Sequence, residues 1–242
     1  MTAVSHSTYV VTSHPKEMSL RQAALIAGLS ILTMVISAPF AELYVFPKLI
    51  VRGHAAETTN NIIANEALFR AGIFGYLVTF ICDLFAAWAL YVLLKPVNQS
   101  LSQLMAWCRL VYTIIALVAL ANLVTILKLL NAPGNLSVQQ PDQLNAQVQV
   151  SLNAFKDGWY FGILFFGLHL LLLGYLVFTS NYIPRLLGIL LMMAGLGYLA
   201  NGLKPFLYPT LNLDVARFTF YGELVFMLWL LIKGSRIKEP PY

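Results

Sequence analysis

The sequence predicts an all-α fold: a polytopic membrane protein with six transmembrane helices in one bundle. Three observations predict it. Hydrophobic residues make up 59% of the chain and charged residues only 10%, against about 25% charged in an ordinary soluble domain. The mean hydropathy is +0.75, so most of the surface has to face lipid. The apolar residues also fall into runs long enough to cross a bilayer, which takes roughly 20 residues at about 1.5 Å each.

Six runs qualify. The first covers about Arg21 to Phe46 and is expected to close at Pro47. The second covers Leu68 to Leu94, closed by Lys95-Pro96. The third covers Leu101 to Leu130, closed by Asn131 and Pro133-Gly134. The fourth covers Asp157 to Thr179. The fifth covers Pro184 to Leu207, with Pro184 suited to a first helical turn, and the sixth Val215 to Ile232. The links after the second and fourth runs are tight and predict antiparallel hairpins. The first link is long, and Glu57 to Phe69 after the Gly53-His54 turn suggests a short interfacial helix. In the third link Leu144, Val148, Leu152 and Phe155 recur at helical spacing, predicting an amphipathic surface helix that caps the bundle. Residues 1–20 read as a polar cytoplasmic tail, 21–234 as the six-helix membrane domain and 235–242 as a basic tail.

Glycines and alanines at four-residue spacing mark close helix contacts, where packing drives association in lipid. Ala71 and Gly75 form one such pair and Gly158 and Gly162 another; Gly188, Gly195, Gly197 and Gly202 follow on the fifth run. Trp159, Tyr160, Tyr198, Tyr208, Tyr221 and Trp229 read as interfacial belt or core.

The net charge is +5, but the basic residues are scattered through short loops. A nucleic-acid groove needs them clustered, so the charge reads as membrane topology and headgroup contact. Six spans put both termini on one side. With the helix-end residues Arg70, Lys156 and Lys204 discounted, the lysine and arginine bias favours that side as the cytoplasm. Cys82 and Cys108 lie inside apolar runs and read as reduced, buried thiols. No P-loop, dinucleotide fingerprint, zinc motif or serine–histidine–acid order is present in the sequence, which argues against soluble-type chemistry.

The chemistry-bearing residues are those in the membrane. Asp83 lies eleven residues before Leu94, roughly 16 Å deep by helix rise, and Arg109 eight residues past Leu101, roughly 12 Å. His169 and Glu223 come out at roughly 15 Å from Thr179 and Lys233. The apolar core is about 30 Å thick, so all four share one layer near the midplane, on four different helices. Intramembrane ionisable groups are functional candidates by default. Asp83 and Arg109 fall at matching heights across a tight hairpin, which makes a structural ion pair and the wall of a site equally good readings. A second polar layer, Glu42, Arg70, Lys156, Asp157, Asn201 and Lys204, lies toward the opposite face. Glu42 and Arg70 are the pair singled out there; the others are expected to snorkel to headgroups. One midplane histidine cannot supply two axial ligands, so haem is excluded, and no metal or other cofactor is expected.

Several strings together resemble the six-helix bacterial integral membrane proteins of domain-of-unknown-function family 4386. They are Ala41-Glu42, the stretch Asn65 to Gly72, Cys82-Asp83, Leu90 to Leu101, Arg109-Leu110, the run around His169, Tyr182 to Gly188, Ala194 to Leu199 and Gly222-Glu223. The resemblance covers roughly Arg21 to Gly234. It implies a multi-pass protein of the bacterial plasma (inner) membrane and brings no activity or catalytic residue.

Three readings stand at this point. The leading one is a bundle that binds or transports a small-molecule or lipid-like, amphiphilic ligand through the midplane cluster. The second is a membrane enzyme using Asp83 and Glu223 as general acid and base. The third is an accessory or structural subunit held together by its internal charges. The partners these imply are the lipid bilayer, an amphiphilic ligand, and another membrane protein or a second copy, with no nucleic acid.

Overall fold

The computed structural model describes residues 18–132, 140–207 and 221–237. Helix α1, Leu20–Pro39, starts at a capping box: Ser19 Oγ accepts from the Gln22 N–H, and Gln22 Oε1 accepts from the Ser19 N–H, both at 3.2 Å. Pro39 has no N–H to offer the preceding turn, and the winding widens immediately after it into a π-helical stretch, Phe40–Val45, which passes into α2, Phe46–Leu49. The first span therefore runs to Leu49, three residues past its predicted end. Pro47 does not stop it, because its missing donor falls in the first turn after the change of winding.

Gly53, at φ +81°, makes the turn that follows, a backbone shape that side chains disfavour. A short helix does form in this link, but as α3, Ala55–Ala64; after Asn65 the last four residues of the predicted stretch belong to α4, Glu66–Leu94. Helix α5 is Gln99–Asn131, capped by Asn98, whose side chain accepts from the Leu101 N–H at 3.0 Å.

Helix α6, Pro141–Thr179, corrects the predicted break before Asp157. Its 39 residues extend roughly 58 Å, about twice the apolar thickness. No proline interrupts it after its first turn, and the Leu144–Val148–Leu152 stripe continues the same helical face. That stripe packs on Ile62 of α3 and on Leu123, Ile126, Leu127 and Leu130 of α5. The cap is thus built from the extended ends of α5 and α6 with α3 laid against them.

Helix α7 is Arg185–Leu207 and α8 is Tyr221–Lys233, followed by a 3₁₀ turn, Gly234–Arg236. The first six residues of the predicted sixth span, 215–220, lie outside the described residues, as do residues 1–17 and 238–242 of the tails. Among the described residues the structure is all-helical, and five helical segments are long and apolar enough to cross a membrane: Leu20–Leu49, α4, α5, α6 and α7.

The helices form a closed ring in chain order: α1 packs on α4, α4 on α5, α5 on α6, α6 on α7, α7 on α8, and α8 returns to α1. Arg21 Nε donates to the Ile237 carbonyl at 3.0 Å across this last joint. The α6–α7 contact is backbone against backbone. A Cβ on Gly174 would stand 2.7 Å from the Gly188 carbonyl oxygen, and one on Gly195 would stand 2.9 Å from that of Gly167. Gly158 and Gly162 instead admit Ala119 and Tyr112 of α5. The outward faces carry Leu29 and Ile36, Phe74 and Ile81, Ile114 and Val118, all exposed at helical spacing, as lipid-facing helices require.

Two apolar clusters fill the ring. One gathers Leu93, Leu94, Leu173, Leu176 and Leu230 at the end where α1 begins and α8 finishes; the other gathers Phe69, Tyr76, Phe80 and Leu123 towards the cap. Phe166 packs against both.

Candidate functional site

The polar residues of the midplane sit where these clusters meet. On α4, Tyr76, Thr79, Phe80, Asp83, Ala87 and Leu90 recur at three- and four-residue steps and are all buried. The same periodicity points Met105, Arg109 and Tyr112 of α5 inward, and His169 lies on the buried face of α6 with Leu170 and Leu173. Asp83 and Arg109 are each 2% exposed and His169 is fully buried.

Arg109 is the hub. Its Nε donates to Asp83 Oδ1 at 2.8 Å, and its Nη2 approaches the same oxygen at 2.6 Å. Nη1 lies 3.0 Å from His169 Nε2, and Nη2 lies 3.7 Å from the Met34 sulfur on α1. The guanidinium also stands over the Phe166 ring at 5.3 Å. One side chain thereby joins α1, α4, α5 and α6.

The geometry fixes the histidine tautomer. His169 Nδ1 is 2.9 Å from the Met105 carbonyl oxygen, which can only accept, so Nδ1 carries the proton. Arginine can only donate, so Nε2 presents its lone pair to Nη1. His169 is therefore a neutral acceptor, and a second ring proton would point at a guanidinium N–H.

Glu223 on α8 completes the layer from the other side of the ring. Its carboxylate is hydrogen-bonded to Tyr198 of α7 and interacts through space with Asp83 and Arg109. Tyr198 stacks edge-on against Phe166 with centroids 5.1 Å apart. The four sequence-predicted midplane residues thus form one electrostatic group, three in direct contact and the fourth reached through Tyr198. Asp83 is committed to Arg109, and Glu223 to Tyr198.

The second polar layer does not come together as expected. Glu42, in the π-helical stretch, accepts a short hydrogen bond from the buried Tyr76 hydroxyl. Arg70 instead pairs with Glu66, one turn earlier on α4, at 2.6 Å, and Asn131 also donates to Glu66 at 3.2 Å. Local i,i+4 geometry favours this exposed pair over one reaching across to α1. Tyr76, missed in the sequence, was readable: it lies seven residues before Asp83 on the same face. Met34 gave no such signal, since only the docking of α1 brings it in. Among the described residues no three His, Cys, Asp or Glu side chains converge as a metal site requires.

Residues 26–234 match the family model described as Domain of unknown function (DUF4386). The chain belongs to this family. An archaeal protein from Archaeoglobus fulgidus, described as an uncharacterized protein, is 34% identical over 167 residues, covering 69% of this chain and 86% of that protein. No solved structure matches the chain. The matched span takes in every helix of the ring except the first six residues of α1, and all four midplane residues.

Proposed function

We propose that this DUF4386 protein is a six-span protein of the bacterial plasma membrane, termini in the cytoplasm, that binds and carries a small amphiphilic ligand in exchange for a proton on Glu223. The charge inventory of the midplane supports this reading. Asp83 and Arg109 cancel, and the tautomer set by Met105 makes His169 neutral. Glu223 is then the one group of the four whose charge has no ionic counterpart within the cluster. A carboxylate in such a place is stable when protonated or when a cation stands beside it. Loss of the proton and arrival of a cationic headgroup conserve charge, which is the condition for exchange.

The Asp83–Arg109–His169 part serves as the rigid wall. Its packing favours a structural role for these three, which is where the subunit reading retains its force. The sixth span is α8, whose 13 described residues account for roughly 20 Å of the crossing by helix rise. The orientation rests on Arg21, Lys95, Arg185, Lys233 and Arg236, which share the end where α1 begins and α8 finishes.

The test uses proteoliposomes loaded with a pH-sensitive dye and exposed to ethidium, a fluorescent aromatic cation, under an imposed pH gradient. Exchange predicts ethidium movement coupled to proton movement in the wild type and loss of both in Glu223→Gln. Equal coupled flux in the variant, or no coupled flux in the wild type, overturns the reading.

A further inference from the structure

A second candidate site lies at the end of the bundle where α1 begins and α8 finishes, remote from the midplane. There the α6–α7 turn and the end of α8 enclose a groove of about 370 Å³, lined by Asn181, Tyr182, Pro184, Trp229, Lys233 and Arg236 among others. Its walls are held in place. The Tyr182 hydroxyl donates to the Leu93 carbonyl at 2.6 Å, and the Ile237 carbonyl, at the groove edge, accepts from Arg21.

The lining is one-sided in charge. Lys233 and Arg236 are exposed in it, and Arg185 follows Pro184 directly. Among the described residues no aspartate or glutamate lies at this end and neither cation has a carboxylate partner. Depth matches as well. Lys233 is ten residues beyond Glu223, roughly 15 Å by helix rise, about half the apolar thickness. Lys233 therefore stands at headgroup level, with Trp229 one turn deeper, where indole rings favour the interface. From the groove, exposed apolar residues run up both flanking helices: Leu186, Ile189 and Met193 on α7, and Val225, Leu228 and Ile232 on α8.

We propose that this groove binds the headgroup of an anionic phospholipid from the adjoining leaflet, its phosphodiester between Lys233 and Arg236 and its acyl chains along α7 and α8. The site stands whether or not Glu223 exchanges protons. It needs only that the chain be embedded in a bilayer.

The full chain is placed in nanodiscs of equal parts phosphatidylglycerol and phosphatidylcholine, and the lipids retained on extraction are counted by native mass spectrometry. The wild type is expected to retain phosphatidylglycerol selectively. A basic side chain at a lipid surface is worth about a factor of five in binding, so Lys233→Gln with Arg236→Gln is expected to cut the preference roughly thirtyfold. Lys233→Arg with Arg236→Lys is expected to keep it. Raising salt is expected to lower the wild-type preference, a readout that does not depend on any variant folding. Equal retention of the two lipids, an unchanged preference in the neutral double variant, indifference to salt, or displacement of the lipid by millimolar inorganic phosphate would each overturn the proposal.

Discussion

Replacing Arg109 by glutamine removes the only cation facing Asp83 among the described residues of the interior and takes the donor away from His169. Two magnitudes compete for the outcome. If the pair behaves like an average interhelical hydrogen bond inside a bilayer, the loss is about 0.6 kcal/mol. If it behaves as a buried ion pair, removing one partner strands a charge and costs about 3–5 kcal/mol. The geometry selects the second. Both N–H vectors converge on one oxygen at 2.8 and 2.6 Å, and both residues are 2% exposed. For a chain of this size each kcal/mol shifts Tm by roughly 2–4 °C, so Arg109→Gln is expected to lower Tm by roughly 6–20 °C, and Asp83→Asn by a similar amount. The double variant replaces the ions with two amides that can bond each other and should recover most of the loss. The half-buried Cys82 and Cys108 provide the assay, since a thiol-reactive dye reports their exposure on heating. Single variants within about 2 °C of wild type, or a double variant whose loss equals the sum of the singles, would refute the ion-pair reasoning.

Four further outcomes follow from named contacts. His169→Gln, which can still accept from Arg109 and donate to Met105, is expected to melt above His169→Leu, which strands a guanidinium N–H at a cost of about 1–3 kcal/mol. Gly188→Val drives a branched side chain into the Gly174 carbonyl and the Phe178 backbone; a loss of about 3 kcal/mol, the upper end for overpacking because backbone cannot move aside, or no folded protein on size exclusion, is expected. Val148→Asp places a carboxylate in the cap against α5, and the cap should become protease-sensitive between α2 and α4 while the bundle stays assembled. Burial raises the Tyr182 hydroxyl pKa above its ordinary value. The unfolded chain then ionises first, so this residue's stabilisation is intact below about pH 10 and lost as pH rises through the higher folded value. Tyr182→Phe should be less stable at neutral pH, having lost the bond to Leu93, yet lose less on raising the pH from 9 to 11.

What was legible in the sequence was whatever helix rise controls. Depth along a helix is linear in residue number, so the common height of Asp83, Arg109, His169 and Glu223 needed no structure, and the hairpin between α4 and α5 made the first two neighbours. Direction around the axis was readable as well, which is why Tyr76 should have been assigned to the face of Asp83. Three things were not legible. Partner choice across helices depends on docking, so Met34 and Tyr198 gave no signal, and Glu42 chose Tyr76 over Arg70. Helix continuity through Phe155–Lys156–Asp157 was obscured by polar residues, although no breaker stood there. The path through Pro39 and Pro47 turned on a change of winding that starts at Pro39, where a proline alone does not say whether the helix ends, bends or widens.

The ring order gives the midplane layer an asymmetry that the depth argument lacked. Asp83, Arg109 and His169 belong to α4, α5 and α6, consecutive helices locked by direct contacts and, between α6 and its neighbour α7, by glycine-to-backbone packing. Glu223 stands on α8, the helix that closes the ring, and reaches the layer through Tyr198 of α7. A small displacement of α8 against α1 and α7 therefore changes the surroundings of Glu223 while leaving the neutral Asp83–Arg109–His169 unit intact. The exchange proposed above needs one wall that holds its charges fixed and one titratable group whose access can change. On that proposal the two requirements fall on different helices.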